Sequence, residues 1–493
     1  MQRLNNKYFL VLISAVFTGL SQHNNIFGFL NWFSLVPLIF VLNQLKNYKQ
    51  VLLYTFIWGF IYSFLSVFWI AFNNGVNIIV GAISMIATVL ILCTNTIFIG
   101  VVWFKIKSLF KQFHFFIFPF VWVSIEYLKS FGVLGFPWIN LANSQTSFLF
   151  LIQNSEYVGI YGISFWVVLI NCSLFHLLTQ KSKNNAILLI VFFITPFITG
   201  YYIFKNIEQQ QIESFKVSLI QPNISLENKR DIYFSQLNLD NLIEKSKKCI
   251  SDGANLVVWP ESALPYKELQ NKQTANYIIN NMLNNTDAYL LTGDITKNEN
   301  KLHNSSVLLS KNGIEDIYHK KQLVPMGEYV PLSDKIDFLK NINFGQTNFT
   351  AGKRATNFKI QNLSFCALIC FESTFPSINR VHAKKGIDFF VYLVNDGWYT
   401  SIFEPRQHAR QSIYRAIENR KSVLRCANTG ISMVVNPLGQ IIDQTKLNTE
   451  DIITTFITES NTITFYTKYG NVFAYLMLII TAILLMFSFY KNE

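Results

Sequence analysis

Charged side chains are scarce in this sequence. They make up 14% of its 493 residues, whereas soluble domains carry about 25%. Acidic residues are the rarer kind, 29 against 41 basic ones, which gives a formal net charge of +12. A basic protein can bind nucleic acid, but the sequence contains no nucleic-acid recognition motif and no basic helix. We therefore exclude nucleic acid as a partner and expect the positive charge to meet anionic lipid head groups.

Cysteine is also too sparse for a disulfide scaffold, with six residues in a chain of this length. Cys366 and Cys370 lie in one short apolar run. If both are on one strand, their Cα atoms are roughly 13 Å apart, which is beyond disulfide reach. Cys370 is therefore predicted to be a free thiol. His319 and His408 show no metal-ligand spacing, so we interpret both as structural and expect no metal and no cofactor.

Apolar residues make up 51% of the sequence and crowd residues 8–204 and 472–490. Runs of this length and apolarity are typical of membrane-spanning helices. Eight spans are predicted, at 8–20, 27–42, 51–72, 78–104, 115–128, 159–178, 186–204 and 472–490. The predicted organisation is an N-terminal membrane domain (1–205, seven spans), a globular domain (206–465), and a C-terminal span with a short tail (466–493).

The short loops between these spans set the orientation. Ten Lys and Arg residues, at 3, 7, 46, 49, 105, 107, 111, 181, 183 and 491, fall on one side, and the opposite short loops hold only Lys129. The lysine-rich side of a membrane protein is cytoplasmic. Because seven spans precede the globular stretch, that stretch is expected to lie outside the cytoplasm.

The globular stretch alternates short β-rich runs with helical patterns. Strands are predicted at 217–220, 255–258, 289–292, 306–309 and 388–394, with another that ends at Cys370, and helices at 230–250 and 405–419. This alternation indicates an α/β layered domain.

Glu261, Lys320 and Cys370 follow three separate predicted strands or lie in the loops that those strands feed. A thiol nucleophile needs a base, and a carboxylate shielded in an apolar site can serve as one. Acyl transfer also needs positive charge where the carbonyl oxygen becomes an oxyanion, which a lysine can supply. Taken one at a time, each residue has an ordinary structural explanation; together they suit thioester chemistry.

The motifs around these residues are Trp259-Pro260-Glu261-Ser262, Lys320 ahead of Gly327-Glu328-Tyr329, and Cys370-Phe371-Glu372. They resemble, in chain order, the three signatures of the nitrilase superfamily. With the flanking spans, the whole chain resembles the apolipoprotein N-acyltransferase family. Supporting matches are Gly135-Phe136-Pro137-Trp138, Asn395-Asp396-Gly397-Trp398, Asn428-Thr429-Gly430 and Phe465-Tyr466-Thr467-Lys468-Tyr469-Gly470.

The resemblance implies an αββα sandwich facing the periplasm on an eight-span domain in the inner membrane. It implies that Cys370 takes an acyl chain from a phospholipid as a thioester and passes it to the N-terminal amine of a diacylglyceryl-modified lipoprotein. Glu261 matches the family's general base. Lys320 matches its oxyanion-stabilising lysine, selected over Lys321 by the eight-residue spacing to Glu328. The remaining matches are two supporting carboxylates, Glu328 and Glu372, and four substrate-binding residues, Trp398, Trp138, Tyr329 and Asn395.

The sequence departs from the family pattern at four positions. Ser225 replaces a proline and Arg230 a tryptophan, which puts part of the substrate contact in doubt, whereas Phe371 and Met326 replace similar residues. Two other functions stay open. A membrane-tethered amidase would use the same residues with water as acceptor, and a non-catalytic receptor or transporter would need no intact triad and would show polar sites at mid-membrane.

Overall fold

The computed structural model describes residues 2–23, 25–110, 114–230, 232–264, 269, 272–333, 335–337 and 348–490. The chain divides into two compact units. One comprises residues 1–72, 78–206 and 464–493, and the other comprises residues 73–77 and 207–463.

The first unit is helical up to Asn206. Its α-helices are α1 (Gln2–Ser21), α2 (Val36–Asn43), α3 (Tyr48–Val67), α4 (Ile78–Ile106), α5 (Phe118–Leu128), α6 (Leu149–Ile152), α7 (Ser155–Thr179) and α8 (Lys183–Asn206). Short 3-10 helices extend or link them at Asn25–Trp32, Phe68–Phe72, Lys107–Leu109, His114–Ile117, Pro137–Ile139 and Leu141–Gln145.

Six helical segments of the described chain are long and apolar enough to cross a membrane, which makes this a membrane protein. They are Ile26–Asn43, Tyr48–Phe72, Ile78–Leu109, Ser155–Thr179, Lys183–Asn206 and Val472–Tyr490. Two shorter apolar helices, Asn6–Ser21 and His114–Leu128, coincide with the first and fifth predicted spans. The count of eight spans therefore stays a prediction.

The second predicted span, 27–42, is not one continuous α-helix. Its first half is the 3-10 helix Asn25–Trp32, and α2 begins only at Val36, with Pro37 in its first turn. Proline has no N–H group to donate and is tolerated there because the first helical N–H groups have no partner within the helix. Hydropathy alone does not reveal such a break.

The second unit is built from two six-stranded sheets. The strands are β1 (Gln210–Gln221), β2 (Leu256–Val258), β3 (Tyr289–Asn298), β4 (Lys301–Ser310), β5 (Gly313–His319), β6 (Phe358–Ile360), β7 (Leu363–Ile369), β8 (Phe389–Val394), β9 (Ser422–Ala427), β10 (Met433–Val435), β11 (Ile441–Gln444) and β12 (Asp451–Glu459). The sheet orders are β12-β1-β2-β3-β4-β5 and β11-β10-β9-β8-β7-β6. In the first sheet β1, β2 and β3 are parallel, and in the second β7, β8 and β9 are parallel.

The two sheets pack against each other. Ser306 of β4 donates a hydrogen bond to the carbonyl oxygen of Ala367 in β7 (2.9 Å), and the Cys426 thiol of β9 donates to the carbonyl oxygen of Val258 in β2 (3.3 Å). Strands buried on both faces are rich in apolar residues, and β8 and β9 are buried along their whole length.

Helices lie between the strands along the chain of the second unit. They are α9 (Leu226–Arg230), α10 (Ile232–Ser251), α11 (Lys272–Ile278), α12 (Pro376–Lys384) and α13 (Phe403–Asn419), with a π-helical turn at Ile279–Leu283. Leu239, Leu242 and Ile243 of α10 form one core with Val257 and Leu290 of the first sheet. The chain then returns to the first unit with α14 (Phe465–Tyr469) and α15 (Val472–Tyr490).

The predicted strands and helices of this unit are confirmed, although several bounds move. The strand predicted at 306–309 is the second half of β4, and the helix predicted at 405–419 is α13, which begins at Phe403. The strand predicted to end at Cys370 is β7, which ends at Ile369. Residue 231 of the helix predicted at 230–250 lies outside the described residues.

Candidate active site

Glu261 lies in a tight turn after β2. The indole of Trp259 is fully buried and donates to the Ser246 hydroxyl of α10 (2.9 Å), which fixes the start of the turn. Gly293 of β3 passes so close that a Cβ atom there would lie 2.7–2.9 Å from backbone atoms of Pro260, Glu261 and Ser262. Ser262 itself has a left-handed backbone (φ 54°). The turn therefore holds the Glu261 side chain in a buried position, 4% exposed.

Lys320 follows β5 directly and is buried, with 1% of its surface exposed. Its Nζ atom lies 2.9 Å from Oε1 of Glu328 and 3.5 Å from Oε1 of Glu261. Lys321 is only partly buried, and its backbone N–H donates to Glu372 (2.8 Å). The structure thus brings Lys320, rather than its neighbour, between the two carboxylates.

Asn304 of β4 joins the same two carboxylates, and sequence reasoning missed it. Its Nδ2 atom donates to Oε1 of Glu261 and to Oε1 of Glu328, both at 2.8 Å. Its own carbonyl oxygen accepts from the backbone N–H of Lys320 (2.8 Å). The Asn304 carboxamide therefore bridges the two carboxylates, and the Asn304 backbone holds the backbone of Lys320.

Cys370 is the first residue after β7 and begins the 3-10 helix Cys370–Thr374. Its backbone is left-handed, with φ at 50°, a conformation that a non-glycine residue adopts only when its surroundings enforce it. Its side chain is partly exposed, whereas Cys93, Cys172, Cys249, Cys366 and Cys426 are buried. A thiol at a strand end, on a strained backbone and in a partly exposed residue, is suited to nucleophilic attack.

Burial raises the pKa of the Glu261 carboxyl above its usual range; the Lys320 ammonium opposes this shift and the Glu328 carboxylate adds to it. Burial lowers the pKa of Lys320, but Glu328, Glu261 and Cys370 together outweigh it and raise that pKa, so the ammonium stays charged. Burial also raises the pKa of the Cys370 thiol well above its usual range, and Glu261 adds to the rise. The resting thiol is therefore protonated and needs a base.

Glu372 is fully buried and connects the ends of β5 and β7. Its Oε1 atom accepts from the Tyr318 hydroxyl (2.6 Å) and from the backbone N–H groups of Lys321 and Gln322 (2.8 and 3.2 Å). Its Oε2 atom accepts from the backbone N–H of Ile369 (2.9 Å). Since these bonds fix the chain on either side of Lys320 and Cys370, Glu372 positions both.

The four predicted substrate-binding residues have different surroundings. Asn395 is buried, and its backbone N–H donates to Oε2 of Glu261 (3.1 Å). Trp398 is 38% exposed, and its carbonyl oxygen accepts from the backbone N–H of Asn74 (2.7 Å). Tyr329 is partly buried in the loop that carries Glu328. Trp138 belongs to the helical unit, where it is buried and packs against Trp69 with ring centroids 5.3 Å apart.

Among the described residues, one cluster offers ligand atoms for a metal ion. Asp396, Glu404 and His408 are buried and place one such atom each within 4.8 Å of one another. The Arg425 guanidinium, however, already donates to Oδ2 of Asp396 at 2.7 Å. Because an arginine supplies the positive charge there, we interpret the cluster as an ion-pair network.

Two family profiles match the chain. The profile described as "Apolipoprotein N-acyltransferase N-terminal domain" matches residues 14–173, and the profile "Carbon-nitrogen hydrolase" matches residues 216–465. Glu261, Lys320 and Cys370 all fall within the second match.

Curated relatives carry the name apolipoprotein N-acyltransferase. The one from Rickettsia prowazekii is 33% identical over 75% of this chain and 75% of its own length. The one from Geobacter metallireducens is 31% identical over 76% of this chain and 74% of its own length. Among solved structures, Saccharomyces cerevisiae Nit3, a member of branch 10 of the nitrilase superfamily, is 20% identical and covers 49% of this chain and 89% of its own, with a TM-score of 0.39.

Proposed function

Because the chain belongs to the apolipoprotein N-acyltransferase family, we propose that it acylates the N-terminal amine of lipoproteins with Cys370 as its nucleophile. The main support for this site is the ion-pair cluster of buried Glu261, buried Lys320 and partly buried Glu328 beside the partly exposed residue Cys370. The acyl donor is a phospholipid, and the acceptor is the α-amine of an S-diacylglyceryl cysteine. The reaction needs no cofactor.

In the first half-reaction, the Cys370 thiol attacks an acyl ester of the phospholipid while Glu261 takes its proton. The Lys320 ammonium stabilises the negative charge that develops on the ester carbonyl oxygen. The tetrahedral intermediate collapses and breaks the ester C–O bond. Glu261 returns its proton to the departing alkoxide, which leaves as a lysophospholipid and leaves the acyl chain on sulfur as a thioester.

In the second half-reaction, the lipoprotein amine attacks the thioester carbonyl and passes a proton to Glu261. Lys320 again stabilises the oxyanion, the C–S bond breaks, and Glu261 protonates the leaving thiolate. The products are the N-acyl lipoprotein and the free thiol. Because both half-reactions use one base and one oxyanion site, the resting site is regenerated after each cycle.

The supporting residues position Glu261, Lys320 and Cys370. Glu328 and Asn304 hold Lys320 and Glu261 at their spacing, and Glu372 fixes the two chain segments that carry Lys320 and Cys370. The exposed Trp398 ring offers an apolar surface for an acyl chain. Asn395, Tyr329 and Trp138 are proposed to bind substrate as well.

A lipid donor suits a catalytic domain attached to a membrane domain. We place residues 1–205 and 466–493 in the inner membrane with eight spans, and the catalytic domain, 206–465, in the periplasm. The ten Lys and Arg residues of the cytoplasmic loops support this orientation.

The deciding experiment is intact-mass spectrometry of the full chain, purified in detergent and incubated with phosphatidylethanolamine, before and after hydroxylamine. We expect an acyl adduct that maps to Cys370, is removed by hydroxylamine, and is lost from the Cys370→Ala variant. Cys366→Ala is the matched control, because Cys366 is buried four residues away, and it should acylate normally.

A diacylated lipopeptide is then added to the acyl-enzyme. Transfer of the acyl chain to its amine supports the N-acyltransferase. Release of free fatty acid at the same rate with and without the lipopeptide would favour the water-using amidase type. A folded protein with no adduct on any cysteine would overturn the role of Cys370.

A further inference from the structure

A buried network of charged and polar groups lies directly behind the nucleophile. His408 of α13 is fully buried, and its Nε2 atom lies 3.1 Å from the carbonyl oxygen of Cys370 and 3.0 Å from the Ser373 hydroxyl. The Ser373 hydroxyl donates to the same carbonyl oxygen (2.8 Å). Two side chains therefore converge on the backbone of the residue that has the left-handed φ of 50°.

The imidazole ring is held on its other side by charged groups. Its Nδ1 atom lies 2.9 Å from Oδ1 of Asp396, and Arg425 donates to Oδ2 of the same carboxylate (2.7 Å). Arg425 in turn donates to the carbonyl oxygen of Ile431 (3.1 Å). Gly430 leaves room for this pair, since a Cβ atom there would lie 2.1 Å from Oδ2 of Asp396. The ring cannot turn without breaking these contacts.

The same network also contacts Glu261, the proposed base, through the neighbour of Asp396. Asp396 is the direct neighbour of Asn395, whose backbone N–H donates to Oε2 of Glu261 at 3.1 Å. The Asn395 side chain accepts from Asn428 (3.3 Å), which anchors the loop further. Asp396 thus holds the loop that touches the base, while His408 touches the nucleophile.

We propose that His408 is a positioning residue that sets the Cys370 thiol against Glu261, with its Nε2–H donating to the Cys370 carbonyl oxygen. Neither a carbonyl nor a carboxylate oxygen has a proton to give, so the contacts of Nε2 to Cys370 and of Nδ1 to Asp396 are both hydrogen bonds only in the imidazolium form. Burial and Arg425 lower the pKa of the ring, whereas the Asp396 carboxylate and the Cys370 carbonyl favour this charged form. The bond to Cys370 holds a backbone conformation that a cysteine does not adopt unaided. The inference deepens the proposed function and rests on it, because it assumes that Cys370 is the nucleophile.

Two amide substitutions of similar polarity separate this role from general packing. In His408→Gln the side-chain N–H₂ can reach the place of Nε2 and keep the donor to Cys370. In His408→Asn it reaches only the place of Nδ1, next to Asp396. A structural role alone would be served about equally by either variant.

The measurements use the full chain in detergent, with kcat and KM from a fluorescent phospholipid and a diacylated lipopeptide. The iodoacetamide alkylation rate of Cys370 is read by mass spectrometry of its peptide. Since a misplaced reacting group costs up to about 100-fold, we expect H408N to lower kcat by about 10- to 100-fold, with KM changed by less than about threefold. Alkylation of Cys370 should slow at least about fivefold in H408N, and H408Q should stay within about threefold of wild type in kcat and alkylation.

The proposal is overturned if H408N matches wild type in kcat and alkylation, or if both folded variants are equally impaired. If H408N does not fold, H408Q decides: wild-type kcat and alkylation support the proposal, and a tenfold loss in the folded variant overturns it. A wild-type protein without acyl transfer would count against the proposed function itself. The alkylation comparison remains valid in that case, because it needs no lipid substrate.

Discussion

Replacing Lys320 tests the proposed chemistry most directly. Its ammonium lies 2.9 Å from Glu328 and 3.5 Å from Glu261, and the side chain is 1% exposed. Lys320→Met keeps an unbranched apolar side chain and removes the charge and its donors. Loss of one oxyanion donor costs about 100- to 1,000-fold in kcat, or about 2.7–4 kcal/mol, in acyl-transfer enzymes. We expect a loss of at least about 100-fold in kcat/KM for this variant.

The Lys320→Met substitution also changes the pKa of Glu261, the proposed base. Lys320 opposes the upward pKa shift of Glu261, so its loss raises that pKa further. Glu261 accepts a proton only when ionised, and a higher pKa leaves less of it ionised at a given pH. Raising the pH restores the ionised form, whereas the loss of oxyanion stabilisation is the same at every pH. The deficit of K320M relative to wild type should therefore shrink as the pH rises.

Stability must be measured beside activity, because removing one partner of a buried ion pair costs about 3–5 kcal/mol. Rates are therefore normalised to the folded fraction from thermal unfolding. Lys321→Met is the matched control: its side chain is only partly buried, and the substitution keeps the backbone N–H that bonds Glu372. We expect this control to stay close to wild type. Normal turnover in K320M, or an equal loss in K321M, would show that the wrong lysine is assigned.

Three further substitutions test other parts of the site. Cys370→Ala should abolish both the acyl adduct and lipoprotein acylation while the melting temperature stays near that of wild type, and residual transfer by the pure variant would contradict the nucleophile assignment. Glu328→Gln removes a charge that raises the pKa of Glu261, so the acid limb of the kcat/KM profile should move to lower pH; an upward shift would argue against this coupling. Gly293→Ala should destabilise the protein by about 1–3 kcal/mol, because the added Cβ atom overlaps the backbone of the Glu261 turn. Thermal or denaturant unfolding measures this change. An unchanged unfolding midpoint would show that the turn can shift to accommodate the Cβ atom at little cost.

The α/β layering of the second unit is predictable from the sequence because its buried strands are continuous apolar runs. Strand β8 is one such run and was placed almost to the residue. Strand β5 was missed, since Gly313–His319 alternates poorly and carries two acidic residues on an exposed edge. The break in the second apolar segment was missed because 3-10 and α-helical segments have the same hydropathy.

Asn304 shows why part of the candidate site could not be predicted from the sequence. The apolar run that predicts β4 is residues 307–309, near the end of the strand, whereas Asn304 lies in its first half, which is mostly polar. Its importance depends on two carboxylates from distant parts of the chain, Glu261 and Glu328, that meet only once the strands have paired. His408 is a similar case, because its partner is the backbone carbonyl of Cys370 and carries no sequence signature.

We propose Glu261, rather than Glu328, as the base, and the contacts of the two carboxylates support this choice. Glu328 accepts the short bond from Lys320 at 2.9 Å and a backbone N–H from Val324 at 2.8 Å, so its carboxylate is held against the lysine. Glu261 has the longer contact to Lys320, 3.5 Å, and a raised pKa. A carboxyl group with a raised pKa is suited to take up a proton as a general base. We therefore propose that Glu328 keeps Lys320 charged and in place, and that Glu261 exchanges a proton with the thiol and the amine.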